Sequence, residues 1–354
     1  MPTQTRIVVQ DDKDGPLDIR EITLPDPAPH QVMVEMLATG ICHSQIFWMH
    51  QNRTAPMLFG HEGYGVVTAT GSAVTTVVPG DTVMITWLPR TSVARGPEIS
   101  GVELPDGTRA QSPNVYTWAE HALVDELYIY PLTHHTHDDT VSIVGCAIFT
   151  GAGSVIHSGA LEPEGTVAVF GVGGVGLAAI AGARKLGAQH IVAVDRIARK
   201  LDFAKQFGAT ELIDATTTDP VARIHELIHR PGYETGVDLA LDCVGAEITT
   251  RQALKSVRKG VLGSHRGGTA SIVGLPQGEF PVDVPDLLYG QKTLSGALAG
   301  SCRQEDIGTF LDWYADGALD LQALVTNRYP FDDIVRAVDD LEQGAVLGRA
   351  IVTM

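Results

Sequence analysis

Two cysteines and a histidine are placed where they could hold a metal ion. Cys42 lies in Gly40-Ile-Cys-His-Ser44, His61 in Gly60-His-Glu-Gly63 and Cys146 in Gly145-Cys-Ala-Ile-Phe-Thr-Gly151, each closing an apolar segment beside a glycine. Two thiolates and one imidazole suit zinc, and three protein ligands leave a fourth position open, as a catalytic ion requires. Spacing alone does not bring the three together. Each has an ordinary reading too: a free cysteine is commonly buried as a small hydrophobe, and a lone histidine is usually a hydrogen-bonded structural residue. The run containing His134, His135 and His137 has no second ligand set beside it and reads as a solvated loop.

A second constellation could hold a dinucleotide. The segment Gly171-Val-Gly-Gly-Val-Gly176 follows the apolar run TVAVF and opens the helical pattern LAAIAGARKL. Gly171, Gly173 and Gly176 then fall on a fingerprint with a physical role for each glycine: a tight turn, close approach of backbone to a pyrophosphate, and close packing of helix on strand. Gly174 and Val175 sit at the helix N-terminus, whose free N–H groups meet phosphate charge. Asp195 ends the next strand, IVAVD, nineteen residues after Gly176. Its carboxylate can accept from both ribose hydroxyls and would repel a 2′-phosphate, so NAD is expected over NADP, with Arg196 blurring that preference. A glycine-rich turn without any ligand is the ordinary alternative.

Such residues need scaffolds of two kinds. A chain of 354 residues exceeds what one core usually organises, so two domains are expected, one interrupting the other. Up to about residue 145 the pattern is β-rich: Gln31 to Met36 alternates apolar and polar, and the runs from Gly65 and from Asp81 follow between glycine turns. From about residue 150 to 297 short apolar strands alternate with helices (Thr166 to Phe170, Val175 to Leu186, His190 to Val194, Ala198 to Phe207), a rhythm that implies a parallel sheet. Further strands are read at Gly236 to Asp242 and Thr269 to Gly274, with a helix at Ile248 to Val257. Gln304 to Asp316 is an amphipathic stretch and Arg349 to Met354 a closing strand. Leu88 to Tyr116 is polar, rich in Pro and Gly, and reads as a long surface loop or lobe.

Composition narrows the partners. Hydrophobic residues are 44% and charged residues 19%, as in a chain that folds throughout. A formal net charge of -17 argues against nucleic acid or an anionic membrane, since phosphate binding needs clustered Lys and Arg. The uncharged runs from Thr140 to Leu161 and Gly165 to Ala183 approach membrane-spanning length, but both are studded with glycine, so no membrane insertion is expected. Four widely spaced cysteines do not form a disulfide framework, and no secretory signal is visible in MPTQTRIVVQDDKDG, so a reducing, cytoplasmic location is expected.

GICHS, GHEGYGVV, the PGD turn, GCAIFTG, VFGVGGVG, VAVD and the closing GRAIVTM stand in order along nearly the whole chain. Together they resemble the zinc-containing alcohol dehydrogenases of the medium-chain dehydrogenase/reductase superfamily. The resemblance implies a GroES-like catalytic domain from residues 1–147 and 298–354, with a doubly wound, parallel-sheet Rossmann domain at 148–297. It implies that Cys42, His61 and Cys146 ligate one catalytic zinc, that Glu62 can approach the metal, and that Ser44 hydrogen-bonds the alcohol. His43 and Arg349 are implied at the cofactor pyrophosphate, Thr150 and Val175 near the nicotinamide, and Lys200 beside the adenosine ribose with Asp195. Trp87 falls at an aromatic wall of the substrate pocket, and Phe47, Trp48, Phe149 and Leu275 suggest a bulky apolar alcohol or aldehyde. A homodimer or homotetramer is implied as well.

The chain departs from that pattern in three places. Phe47 stands where a proton-relay histidine is usual, which leaves His43, His50 or water to carry the proton. Gln45 replaces an aspartate that orients the zinc-bound histidine and is expected to accept the same hydrogen bond without charge. No cysteine lies between residues 43 and 145, so no structural zinc is expected. The competing readings are an aldehyde or enal reductase, a nicotinoprotein that retains its NAD, and a non-catalytic cofactor-binding structural protein. Intact zinc ligands argue against the last.

Overall fold

The computed structural model describes residues 2–92, 94–132, 138–229, 235–276 and 278–354. The histidine run at 134–137 therefore lies outside the described residues. Two compact units are present, the first formed by Met1–Cys146, Arg303–Ala315 and Leu321–Met354, the second by Ala147–Cys302 and Asp316–Asp320.

The first unit is built mainly of β-strands. Seven strands form its larger sheet: Ile129–Pro131, Thr82–Thr86, Glu62–Thr70, Gln31–Ile41, Arg349–Thr353 and Val325–Pro330 in spatial order, with His121–Asp125 also paired to Gln31–Ile41. Alternating residues of these strands point inward, and Val32, Val34, Val67, Val83, Ile85 and Val124 bury a common core. Two registers bring distant parts of the chain side by side. Thr39 lies opposite Gly63, and Ile41 lies opposite Ala350 of the closing strand. The chain's two ends are thus joined in one sheet, and the end of the Gln31–Ile41 strand is flanked by Glu62 on one side and Arg349 on the other.

A second, five-stranded sheet runs Asp18–Leu24, Thr3–Gln10, Met57–Leu58, Arg109–Gln111, Gly101–Glu103. Its last two strands lie inside the segment read as a long surface loop or lobe. They pair antiparallel, Val102 opposite Ala110, around the turn at Asp106-Gly107, and both residues are buried. Three residues per strand are too few for periodicity to show in the sequence.

The second unit is a six-stranded, wholly parallel sheet in the order Glu211–Asp214, His190–Asp195, Thr166–Phe170, Leu239–Asp242, Thr269–Ile272, Thr293–Gly296. Thr166–Phe170 is buried along its whole length, as a central strand covered on both faces must be. The reversal of strand order between His190–Asp195 and Leu239–Asp242 opens a crevice at the carboxyl end of Thr166–Phe170, the usual ligand position in such sheets. The helical stretch Asp139–His157 is long and apolar enough to cross a membrane, but 89% of its most apolar window is buried inside the protein, as befits a core element.

Candidate active site

Strand register brings the sequence-predicted metal residues of the first unit together. Cys42 ends the Gln31–Ile41 strand and precedes the helix His43–Met49. His61 and Glu62 enter the neighbouring strand from Gly60, whose φ of +87° is a left-handed conformation that favours glycine. A Cβ on Gly60 would also fall 2.5 Å from the Trp118 backbone. Cys146 lies in a π-helical turn, Val144–Ile148, anchored by the Thr86 hydroxyl donating to Gly145 O at 2.7 Å. Single π-turns inside helices recur at functional sites.

Cys42, His61, Glu62 and Cys146 are all buried, with one donor atom from each within 4.8 Å of the others. Cys42 Sγ and Cys146 Sγ are 3.9 Å apart. Two zinc–sulfur bonds of about 2.3 Å at a tetrahedral angle put sulfurs ~3.8 Å apart, so the spacing fits zinc. The protonation chemistry fits too. A hydrogen bond from Cys146 pulls the Cys42 thiol well below its ordinary range against the opposing effect of burial, with His61 and Arg349 helping. The same bond, with burial, pushes the Cys146 thiol up. A divalent cation held by both sulfurs favours the ionised form of each.

Glu62 is completely enclosed and hydrogen-bonds the buried Arg349 guanidinium through Oε1 and Nη2. Room for the carboxylate comes from Gly40, where a Cβ would meet Glu62 Oε1 at 2.4 Å. Although burial opposes its charge, Glu62 and the two thiols hold Arg349 protonated above its ordinary range. Among the described residues Arg349 Nε has no hydrogen-bond partner. The Arg349 guanidinium, expected at the pyrophosphate, here hydrogen-bonds Glu62 and is attracted by the two cysteines.

Ser44 Oγ stands over the donor set, 3.2 Å from Cys42 Sγ and 3.5 Å from His61 Nε2. Gln45 is buried, accepting the Gly60 N–H at Oε1 (2.7 Å) and placing Nε2 2.8 Å from His61 Nδ1. The expected role as an acceptor for the histidine is therefore reversed, because the amide oxygen is already taken. Trp87 lies beside His61, ring centroids 6.3 Å apart, and Phe47 is exposed with its edge against Trp48. His50 is held on the surface by Asp14 at 2.5 Å and Glu342 at 3.6 Å. His43 is exposed at the start of its helix.

In the second unit the glycines show separate functions. Gly171 has φ +87° and turns the chain. A Cβ on Gly176 would fall 2.0 Å from Gly171 O, so helix and strand could not approach. A Cβ on Gly173 would meet nothing within 4 Å, so what keeps this position bare is not the fold. The helix Gly174–Lys185 begins there with no side-chain cap, and Gly173, Gly174 and Val175 are partly exposed. Asp195 Oδ2 accepts the Val172 N–H at 2.9 Å, and Oδ1 those of Arg196 and Ile197 at 2.7 and 3.0 Å. A carboxylate has about four acceptor positions, so capacity remains for a hydroxyl. Lys200 lies on the next helix, Ala198–Phe207, and Leu275 follows the Thr269–Ile272 strand, 36% exposed.

One contact of this unit escapes a reading of the sequence. Gly151 lets the helix Phe149–His157, which carries the buried Thr150, press on the glycine-turn helix: a Cβ there would be 2.1 Å from Val175 O. The run of small residues Gly151, Ala152, Gly153 and Ser154 is the signal of it along the chain.

Residues 28–134 match the alcohol dehydrogenase GroES-like domain family and residues 174–316 the zinc-binding dehydrogenase family. The chain is 30% identical to the class-3 alcohol dehydrogenase of Myxine glutinosa over 93% of its own length and 92% of that protein's. Its fold is similar to that of benzyl alcohol dehydrogenase from Acinetobacter calcoaceticus, with TM-score 0.86, 29% identity and 99% of both chains covered. It is similar as well to a Sinorhizobium meliloti 1021 chain described as a zinc-binding dehydrogenase and solved bound to NADP, with TM-score 0.78, 25% identity, and 99% and 100% coverage.

Proposed function

The chain belongs to the zinc-containing alcohol dehydrogenases of the medium-chain dehydrogenase/reductase superfamily, and from that premise we propose that it transfers hydride between NAD(H) and a primary or secondary alcohol carrying a bulky apolar group. The observation that carries the reading is the buried Cys42, His61, Cys146 donor set with Ser44 over it. When bound, zinc supplies a Lewis acid that lowers the pKa of an alcohol, and NAD supplies the hydride acceptor.

The chain's own groups do the rest. Ser44 Oγ positions the substrate hydroxyl and takes its proton. With Phe47 in place of a histidine and His50 tied to Asp14 and Glu342, the exposed His43 is the ring nearest in sequence to pass that proton to solvent. Trp87 and Phe47 supply aromatic surface on the first unit, which favours aromatic, allylic or longer aliphatic alcohols over ethanol. On the second unit Gly171, Gly173, Gly174, Val175 and Gly176 form the pyrophosphate turn, Asp195 and Lys200 flank the ribose, and Thr150 and Val175 lie toward the nicotinamide. Asp195 favours NAD, as its charge repels a 2′-phosphate.

We further read one zinc per chain, since the lobe at 88–116 has no cysteine, a cytoplasmic location, and a homodimer or homotetramer. Support for association comes from the exposed Val284, Leu288 and Tyr289 beside the outermost strand, Thr293–Gly296.

A spectrophotometric screen of benzylic, allylic and aliphatic alcohols with NAD and with NADP, before and after chelation, tests this. Chelator-sensitive NAD reduction, greatest with the bulky alcohols, is expected, with about one zinc per chain by elemental analysis. Failure of every alcohol to reduce either cofactor would refute it.

A further inference from the structure

Gln45 sits between two groups whose hydrogen-bonding roles can be worked out in both states of the site. On one side Gly60 is buried and donates its N–H to Oε1 at 2.7 Å. On the other, Nε2 lies 2.8 Å from His61 Nδ1, and Gln45 and His61 are only 5% and 8% exposed. His61 turns its other nitrogen, Nε2, toward Ser44 Oγ (3.5 Å), which itself is 3.2 Å from Cys42 Sγ. Nε2 is therefore the ring atom on the side of the sulfurs.

A neutral imidazole that offers a lone pair at Nε2 carries its proton on Nδ1. When His61 ligates a metal, the Gln45 amide is flanked by two donors, Gly60 N–H and Nδ1–H. A primary amide has one acceptor end and one donor end, so either orientation leaves a donor facing a donor. Were the single oxygen to serve both flanks, the amide nitrogen would lose its own partner. With the proton on Nε2, by contrast, every bond closes: Gly60 N–H to Oε1, and the amide N–H to Nδ1.

We propose that Gln45 is a positioning residue that sets metal affinity: the Gly60–Gln45–His61 network is complete only while His61 carries no metal, so zinc loading breaks a buried hydrogen bond and the ion is held loosely and exchanges readily. The inference rests on the zinc reading above. A carboxylate at position 45 offers two acceptors, one for each flank, and removes the conflict. Groups that orient a zinc-bound histidine typically change metal affinity by about 10- to 100-fold, and a buried donor left facing a donor is the physical cause.

The test uses the full chain, stripped by chelator and titrated with zinc ion against a chromogenic competitor. Gln45→Glu, which keeps the side-chain length, is expected to bind zinc about 10- to 100-fold more tightly than wild type and to release it correspondingly more slowly. Equal affinity overturns the proposal. Because the substitution also adds charge, wild-type protein is followed by nitrogen-15 NMR during zinc addition. Once zinc is bound, either the Gly60 amide or the Gln45 side-chain amide should exchange faster with solvent, according to which flank the amide oxygen keeps, while the His61 resonances report a move of the proton to Nδ1. Gly60 and Gln45 side-chain amides that are both equally protected with and without zinc overturn the proposal even if Gln45→Glu binds more tightly, and decide it alone if that variant does not fold. Wild type that takes up no zinc defeats the metal reading itself, a result distinct from zinc uptake that leaves both the Gly60 and the Gln45 side-chain amides unchanged.

Discussion

Gly40→Ala would add one methyl group to the chain and should damage the first unit out of proportion to its size. The new Cβ would lie 2.4, 2.6 and 2.8 Å from Glu62 Oε1, Cδ and Cγ. Glu62 has no solvent to retreat into, being 0% exposed. Its backbone cannot shift easily either, since its carbonyl accepts from the hydroxyls of Thr39 and Thr117 at 2.8 and 3.1 Å. The carboxylate must swing, and Arg349, 4% exposed, then loses its main charge partner while its Nε already has none. Overpacking alone costs about 1–3 kcal/mol, and separating one partner of a buried ion pair about 3–5 kcal/mol. The thiols of Cys42 and Cys146 still attract the guanidinium, so a loss of about 3 kcal/mol is expected, near the low end of the second range.

Urea unfolding of metal-free protein, followed by fluorescence of the buried Trp118, whose indole donates to Gly40 O at 3.2 Å, measures that loss in the affected unit. The same substitution in a Glu62→Ala background isolates the cause. There the methyl meets no carboxylate, and its added cost should fall to less than about 1 kcal/mol. A Gly40→Ala protein within about 0.5 kcal/mol of wild type, or an equal cost in both backgrounds, would refute the reasoning.

The glycine turn allows fold and ligand to be separated. Gly176→Ala, pressed to 2.0 Å from Gly171 O, should lower stability by about 1–3 kcal/mol, whereas Gly173→Ala, with nothing within 4 Å, should leave stability alone and weaken NAD binding at least about tenfold. Denaturation and cofactor titration of both variants check this, and a Gly173→Ala protein with wild-type NAD affinity would remove that residue from the cofactor site. Asp125 gives a pH dependence: burial opposes its charge, but Arg95 at 2.5 Å and the N–H groups of Leu127 and Glu98 hold its pKa below the ordinary value. Its stabilisation is then complete above the unfolded pKa of about 3.9 and is lost as pH falls through the lower folded value. Asp125→Asn should cost about 3 kcal/mol at pH 7 and flatten the fall in stability below about pH 4, so an unchanged acid limb in urea unfolding would contradict it.

How much of the molecule was legible in the sequence followed how local the physics is. The glycine turn can be read because strand, turn and helix are consecutive, and each glycine's role is set by neighbours within a few residues. Strands such as Glu211–Asp214 and Thr293–Gly296 are four residues long and partly exposed, too short for periodicity to mark them. The helix Pro220–Leu227 had a readable start, Asp219 capping Val221 and Ala222 with Pro220 in the first turn, but its apolar positions are few. Around the metal the residue types were legible and their meeting was not. Bringing Cys42, Glu62 and Arg349 to one point depends on two strand registers spanning opposite ends of the chain. The hydrogen bond between Gly60 and Gln45 joins a turn to a helix fifteen residues earlier and leaves no trace in composition.

Arg349 shows what such a register does to function. The family resemblance implies a pyrophosphate contact for Arg349. The structure offers it nearer anions: Glu62, whose carboxylate it bonds, and the sulfurs of Cys42 and Cys146. With both thiols ionised, the three acids carry three negative charges and Arg349 returns one positive, leaving two. A divalent cation cancels that remainder, so the enclosed cluster becomes neutral only when metal and arginine are both present. Burying uncompensated charge is costly, and the pairing of Arg349 with Glu62 offsets part of that cost.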